Sequence, residues 1–274
     1  MTAETLVLLA LGVPFLGGLS VLFSGPGSAN VRDGLTVITS IILFCIVWQL
    51  IQIVDAGGRP TVTLLQMIPG LSLTLSLEPL GMIFAGVASF LWIVTSFYAF
   101  GYMRGHHEAN QTRFFFCFAI AIMSALGIAF SGNMLTLFVF YEVLTISTFP
   151  LVTHSGTDEA RRAGRVYLGI LLGTSVTFLL TAMIWTYVEA GTLDFQKGGI
   201  LEGNAPAGVI AILFGLYIYG IGKAALMPFH RWLPAAMVAP TPVSALLHAV
   251  AVVKAGVFSV VKVSVFIFGL DTLR

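Results

Sequence analysis

Apolar runs of about 20 residues recur along this chain, and they restrict its fold more than any other feature. A helix needs about 20 apolar residues to cross a hydrocarbon core about 30 Å thick. Eight runs reach that length, at residues 5–23, 34–54, 79–103, 114–131, 133–152, 167–189, 207–227 and 242–268. They predict an all-α polytopic membrane protein with about eight transmembrane helices. The lipid bilayer is therefore expected to be one of its partners.

Composition and charge exclude several other classes of protein. Only 9% of the 274 residues are charged and the mean hydropathy is +0.99, whereas about a quarter of the residues of a soluble domain are charged. The net charge is +1 and no basic run occurs, so we expect no nucleic-acid partner. Because the sequence carries no phosphate-binding loop and no catalytic serine motif, it does not indicate an enzyme activity.

Cysteines and loop histidines give no sign of a metal or cofactor. Cys45 and Cys117 each stand alone in an apolar run, which predicts neither a disulfide framework nor a thiol redox site. His106, His107 and His154 lack the spacing of zinc ligands and are predicted to lie on a solvated surface. We therefore expect no bound metal and no cofactor.

Two segments between the apolar runs have patterns of their own. Residues 61–77 alternate apolar and polar side chains around Pro69-Gly70, which predicts a small β-hairpin at the membrane surface. Residues 156–165 mix acidic side chains with arginines and are interpreted as a short amphipathic stretch before the sixth helix.

The distribution of cations predicts the orientation, because Lys and Arg near helix ends favour the cytoplasmic side. One side collects seven arginines, at positions 32, 104, 113, 161, 162, 165 and 231. The other side has only Arg59, Lys197 and Arg274. The bias predicts that both termini face outward, in the plasma membrane of a prokaryote.

A few ionisable residues lie inside the apolar runs, where each charge costs at least about 2.5–3.5 kcal/mol. Glu142 and Lys223 lie at comparable depth and are predicted to form an ion pair. Separating such a pair would leave the ammonium without its counter-ion and favour loss of a proton, so the pair is a candidate proton switch. The alternative is a static pair that fixes helix register. Lys262, near the end of its helix, is predicted to extend to the interface.

His248 is a candidate relay group beside these charges. It lies four residues after Ser244 on one helical face, and Lys254 follows six residues later, rotated by about 120°. An imidazole can both accept and donate a proton, so it could pass one between lysines approached from different sides. A packing histidine and an axial haem ligand are the alternatives.

The backbone is most irregular at residues 227–242, where prolines stand at positions 228, 234, 240 and 242. Proline removes an amide donor and disfavours helix in the residue before it, so the pattern predicts a broken seventh helix. Within a membrane, broken backbone is tolerated only where it is buried in protein or lines a wet cavity, as in transporters.

Two motifs carry a family resemblance. SGNMLTLFVFYE at 131–142, followed by LTIST at 144–148, is the first, and GKAALMPFHRWLPAAMVAPTPVSALLH at 222–248, with VKAG at 253–256, is the second. They resemble the proton-conducting antiporter-like subunits of Mrp-type cation/proton antiporters (the D-type and A-type proteins), respiratory complex I and membrane-bound hydrogenases. The Tyr-Glu pair is most similar to the Mrp D-type and hydrogenase branch.

The resemblance implies roles for four residues. Glu142 matches the glutamate of the fifth helix and Lys223 the lysine of the broken seventh helix. His248 and Lys254 would continue the proton relay along the eighth. Glu78 departs from the family pattern, since many relatives have an aspartate at this position, and we assign it no catalytic role.

The resemblance also implies a domain organisation. Family members have about fourteen helices with two inverted five-helix repeats. Residues 1–113 match the three leading helices with the hairpin at 61–77, residues 114–268 match the first repeat, and 269–274 form the C-terminal end, with no second repeat.

We therefore expect a proton-translocating subunit of a multi-subunit complex. Its partners would be the other subunits, including a chain that supplies the second repeat, with protons and Na+ as the ions. The alternatives are a component of a redox-driven pump and a nonconducting structural subunit.

Overall fold

Eight helices and one hairpin build the fold in the computed structural model, which describes residues 2–24, 28–68 and 71–273. The helices are α1 Ala3–Phe23, α2 Ala29–Asp55, α3 Pro79–Gly105, α4 Gln111–Ala129, α5 Met134–Val152, α6 Asp158–Ala190, α7 Ala207–Gly220 and α8 Thr241–Phe268. Within the described ranges, seven of them are long and apolar enough to cross a membrane, and α7 is a shorter apolar helix. This confirms the predicted polytopic all-α membrane fold.

The predicted hairpin is present between α2 and α3. Strands β1 Thr61–Ile68 and β2 Leu71–Ser76 are antiparallel, with Thr61 opposite Ser76. The predicted turn at Pro69-Gly70 lies outside the described residues. The amide of Ser76 donates to the carbonyl of Phe130 at 2.7 Å, so the hairpin is fastened to the connection between α4 and α5.

Helix α4 lies at the centre of the bundle. It packs against α1, α3 and α5, and 72% of its most apolar window is buried. A helix that is apolar on all sides belongs in such a position because it has no polar face to turn outward.

The amphipathic stretch predicted at 156–165 is not a separate element. It forms the first turns of α6, which runs 33 residues to Ala190. The hydroxyl of Thr157 accepts from the amide of Ala160 at 3.1 Å, and Asp158 and Glu159 occupy the first turn. A side-chain cap and acidic residues both stabilise a helix N-terminus, and these signals place the helix start earlier than hydropathy alone does.

The predicted break after the seventh helix is confirmed. Helix α7 ends at Gly220 and is followed by two 3-10 turns, Gly222–Ala224 and Phe229–Arg231, by the short helix Trp232–Ala235 and by a third 3-10 turn, Ala236–Val238. Helix α8 is also irregular, since a π-helical turn at Leu246–Val250 precedes its main α-helical part, Val252–Val263.

Cationic side chains collect at two opposite ends of the bundle. Arg32 and Arg104 line a cavity of about 500 Å³ where α2 begins and α3 ends. Arg59 and Lys197 line another, of about 520 Å³, beside the hairpin. With 27 residues, α2 separates these ends by about 40 Å.

Candidate functional site

Lys223 lies on the first 3-10 turn of the break, and its side chain is fully buried. Its backbone amide donates to the hydroxyl of Tyr141 at 3.0 Å. The indole Nε1 of Trp232 donates to the carbonyl of Gly222 at 2.9 Å. Side chains thus satisfy backbone groups that the broken helix leaves open, as burial in a membrane protein requires.

The backbone is strained at Ala225, within this break. It has φ +54° and ψ +39°, in the left-handed region. A non-glycine residue there costs of order 1–3 kcal/mol, and such residues concentrate at functional sites.

The Lys223 ammonium is held by α5. Its Nζ donates to the carbonyl oxygen of Tyr141 at 2.8 Å and to Oγ1 of Thr145 at 2.5 Å. It also lies 3.2 Å from the centre of the Tyr141 ring, within cation–π range. Tyr141 and Thr145 are four residues apart and therefore share one face of the helix. This face forms a cradle for one buried cation.

Glu142 does not contact Lys223 directly, so the predicted contact ion pair is not formed. Both carboxylate oxygens are buried and have no hydrogen-bond partner among the described residues. Neither oxygen lies close enough to the Lys223 ammonium to form an ion pair, for which the limit is 4.0 Å. The carboxylate still interacts electrostatically with Lys223. Successive residues of an α-helix point about 100° apart, so Glu142 is directed away from the face that holds the ammonium. A buried carboxylate in this state is costly.

No contact in the described structure links His248 or Lys254 to Lys223. Nε2 of His248 lies 3.0 Å from Sδ of Met237, and the Lys254 side chain is exposed. The predicted 120° rotation between them assumed a regular helix. The π-helical turn and the irregular Ala251, with φ −123° and ψ −65°, intervene.

Helix α8 nevertheless touches the broken turn. A Cβ atom placed on Gly256 would collide with backbone atoms of Lys223 and Ala224. Glycine is required at this crossing because the two backbones pack directly against each other.

Two further interactions of Lys223 were not predicted from the sequence. The sequence presents Tyr141 and Thr145 only as parts of the first motif, yet both contact the ammonium. The four-residue spacing between them, next to Glu142, is the signal that could have indicated this face.

The prediction that Lys262 extends to the interface is wrong. Its side chain is fully buried, and Nζ donates to the carbonyl of Ser131 at 2.7 Å and lies 3.3 Å from Oε2 of Glu78. The lysine faces the connection between α4 and α5, where Glu78 supplies the negative charge.

The prediction of a solvated His154 is also wrong. The residue is 6% exposed, packs edge-on against Phe114, and has no hydrogen bond to the described part of the chain. Burial lowers the pKa of His154, and Arg113 lowers it further, against the opposing effect of Glu108. His154 is therefore neutral near pH 7.

Comparison with known sequences identifies the family. Residues 131–272, just over half of the chain, match the transmembrane family described as NADH:quinone oxidoreductase/Mrp antiporter. The chain belongs to this family. The matched region contains the Lys223 cradle and all of α8, and the resemblance predicted from the two motifs is confirmed.

Two curated relatives come from the Mrp side of the family. A protein named antiporter subunit mnhA2 from Staphylococcus haemolyticus (strain JCSC1435) is 35% identical over 196 residues, which cover 70% of this chain and 24% of the relative. The A/B protein of a K(+)/H(+) antiporter from Rhizobium meliloti (strain 1021) is 31% identical over 266 residues, or 95% of this chain and 26% of the relative. The chain spans about a quarter of the length of these relatives.

Two solved complexes contain chains of the same fold. A chain of the archaeal membrane-bound sulfane sulfur reductase superposes with a TM-score of 0.81 at 22% identity, covering 97% of this chain and 55% of that one. A chain of the Mrp complex from Dietzia sp. DQ12-45-1b gives 0.79 at 24% identity, covering 99% and 29%. At these identities the similarity concerns the fold.

Proposed function

We propose that this chain is a proton-translocating subunit of a multi-subunit membrane complex that exchanges cations for protons in the Mrp manner. The observation that carries the proposal is the fully buried Lys223 on a broken helix, beside Glu142, whose buried carboxylate oxygens have no hydrogen-bond partner among the described residues. Intramembrane ionisable groups generally face a bundle interior and mark ion pathways.

The geometry supports a switch with two arrangements. Tyr141 and Thr145 accept hydrogen bonds from the ammonium, and Glu142 stabilises its charge from a distance. If Glu142 moves or takes up a proton, the ammonium loses that support and releases a proton from Nζ. His248 and Lys254 then receive it along α8 in our proposal.

The proposal extends to the parts of the assembly that this chain does not span. Because this chain spans about a quarter of them, we propose that it acts as the three leading helices, 1–113, and the first repeat, 114–268. The second repeat and the other subunits complete the transporter, with Na+ as the candidate cation. We place the complex in the plasma membrane of a prokaryote, with both termini outside.

The proposal is tested by transport in the intact complex. The assembly that copurifies with this chain is reconstituted in proteoliposomes, and cation-driven proton flux is followed with a pH-sensitive dye. We expect Lys223→Met to abolish the flux and Glu142→Gln to lower it roughly tenfold, the effect of about 1.4 kcal/mol. Glu202→Gln, at an exposed loop carboxylate, is the matched control and should transport normally.

Other results would favour the alternatives. Wild-type flux through the Lys223→Met complex would overturn the proposal. Loss of the assembled complex on size-exclusion chromatography, rather than loss of flux, would indicate a structural subunit. Mass spectrometry of the copurified chains separates the two driving forces, since iron–sulfur or nickel proteins would indicate a redox-driven pump.

A further inference from the structure

A second buried ion pair lies at the hairpin end of the bundle, away from Lys223. Lys262 in α8 is fully buried, and its ammonium lies 3.3 Å from Oε2 of Glu78, the residue that precedes α3. Three aromatic rings surround the ammonium, the nearest being Phe195 at 4.5 Å. This cation is as deeply enclosed as Lys223.

The carboxylate of the pair reaches toward solvent, unlike the lysine. The Glu78 side chain is 23% exposed and lines the cavity of about 520 Å³ described above. We call this the hairpin-side cavity; it is lined by Arg59, Ser76, Glu78, Pro79, Leu80, Phe195, Lys197 and Phe266. A cavity of this size, lined in part by charged side chains, has room for several water molecules. Glu78 therefore stands between a buried ammonium and a space that water can enter.

The bond between the two groups is incomplete. Oε2 of Glu78 is buried and has no hydrogen bond of acceptable geometry within the described residues, although Nζ of Lys262 is 3.3 Å away. Nζ of Lys262 instead donates a hydrogen bond of 2.7 Å to the carbonyl oxygen of Ser131. A small movement of Glu78 would therefore be enough to make or break the contact.

Helix α8 connects this pair with Lys223. Gly256 packs on the backbone of Lys223. Ser259, one turn further, is fully buried and its hydroxyl donates to the carbonyl of Ala255 at 2.7 Å. Lys262 follows after another three residues, so each step rises about 4.5 Å along the helix. Lys254, in contrast, is exposed. The buried polar groups of α8 thus run from Lys223 toward the hairpin end.

We propose that Glu78 and Lys262 form a port through which protons pass between Lys223 and the aqueous phase at the hairpin end. This inference rests on the proposed function of the chain. Once Lys223 has given its proton to His248 and Lys254, an N–H bond of the Lys262 ammonium breaks, and the Ser259 hydroxyl accepts that proton and passes its own to the neutral amine of Lys223. Water in the hairpin-side cavity then gives a proton to the Glu78 carboxylate, which forms an O–H bond. That O–H bond breaks as an N–H bond forms on the neutral Lys262 amine, which restores the ammonium and the carboxylate.

The first test measures proton flux in the reconstituted complex. Because positioned acid–base groups contribute 100-fold or more to proton transfer, we expect Glu78→Gln and Lys262→Met to lower the flux roughly 10- to 100-fold. Glu78→Asp should keep most of the flux, and Glu202→Gln is the matched control for loss of a carboxylate on this chain. Glutamine keeps the shape of Glu78 and can still accept from Lys262, so a purely structural pair predicts normal flux in Glu78→Gln.

The outcomes separate this inference from the function it rests on. If Lys223→Met is inactive while Glu78→Gln and Lys262→Met transport normally, the port is wrong and the proposed function stands. If Lys223→Met also transports normally, the proposed function itself fails. Should Lys262→Met not assemble, Glu78→Gln decides alone.

The second test measures access to Glu78. In a chain with Cys45 and Cys117 replaced by Ala, Glu78→Cys should react with a membrane-impermeant thiol reagent added from the hairpin side, and Ser259→Cys should not. Protection of Glu78→Cys in the assembled complex would overturn the port.

Discussion

A buried ammonium in a bilayer needs acceptors on every side that faces it, and the contacts of Lys223 show how this chain supplies them. One carbonyl, one hydroxyl and one aromatic face, all from a single turn of α5, surround Nζ. The sequence predicted Lys223 because its charge is out of place in an apolar run. It did not predict Tyr141 and Thr145 as partners, because neither residue type is unusual there.

We predict that Thr145→Val weakens transport while Thr145→Ser does not. Valine keeps the shape of threonine but removes the hydroxyl that accepts from Nζ at 2.5 Å. A hydrogen bond to a charged group contributes about 1.5–3 kcal/mol, which corresponds to a loss of flux of roughly ten- to a hundredfold. Proton flux in proteoliposomes checks this, and equal flux in both variants would contradict it.

A second residue-scale prediction concerns pH and His154. Burial lowers the pKa of His154 in the folded protein, Arg113 adds to the effect, and Glu108 opposes it. Below its ordinary value of about 6.5, the unfolded chain therefore binds more protons than the folded one, so stability falls as the pH falls. At a pH above that value, the buried neutral His154 makes its full contribution to the stability of the folded protein.

The thermal midpoint of the detergent-solubilised protein, measured between about pH 7.5 and pH 5, checks the prediction. His154→Gln should flatten the acid decline. His106→Gln, at an exposed histidine, is the matched control and should leave the decline unchanged. An unchanged slope in His154→Gln would show that other groups cause it; Glu108, Arg113, Arg161 and Arg165 line the same region.

At the scale of elements, the broken turn after α7 meets the regular α-helical part of α8. The 3-10 turn that carries Lys223 packs against Gly256, and the strained Ala225 follows directly. The prolines predicted that the backbone would break, but they could not predict which helix would press against the break. That contact depends on tertiary packing, and a single glycine within a helix gives little indication of it.

We predict that Gly256→Ala separates α8 from the broken turn. The added methyl group would meet the backbone of Lys223 and Ala224, which cannot move aside as a side chain could. Overpacking of this kind costs about 1–3 kcal/mol. The thermal midpoint should fall and proton flux should be lost. Gly169→Ala, in α6 with open space around the new methyl group, should behave as wild type. Equal effects of the two substitutions would refute this account.

At the scale of the whole molecule, hydropathy predicted the number of helices and the hairpin well, because both depend on patterns within short segments. The positions of ionisable residues in the sequence predicted their burial less well. Lys262 and His154 were both expected near solvent, and both are buried. Each is covered by elements distant in sequence, Lys262 by the Ser131 connection and His154 by the start of α4. Burial of this kind cannot be inferred from neighbouring residues alone.

The separation of cations between the two ends of the bundle leads to a last prediction, on orientation. The cations that line the cavity where α2 begins are Arg32, Arg104 and Arg113, whereas those that line the hairpin-side cavity are Arg59 and Lys197. Because positive loops remain in the cytoplasm, the hairpin should face outward. Thr63 and Ser155 are exposed, and each gains a thiol with little change in size. In intact cells whose chain lacks Cys45 and Cys117, a membrane-impermeant thiol reagent should label Thr63→Cys and spare Ser155→Cys. Everted vesicles should show the opposite pattern, and the reverse assignment would invert the orientation and direct the Glu78 port to the cytoplasm.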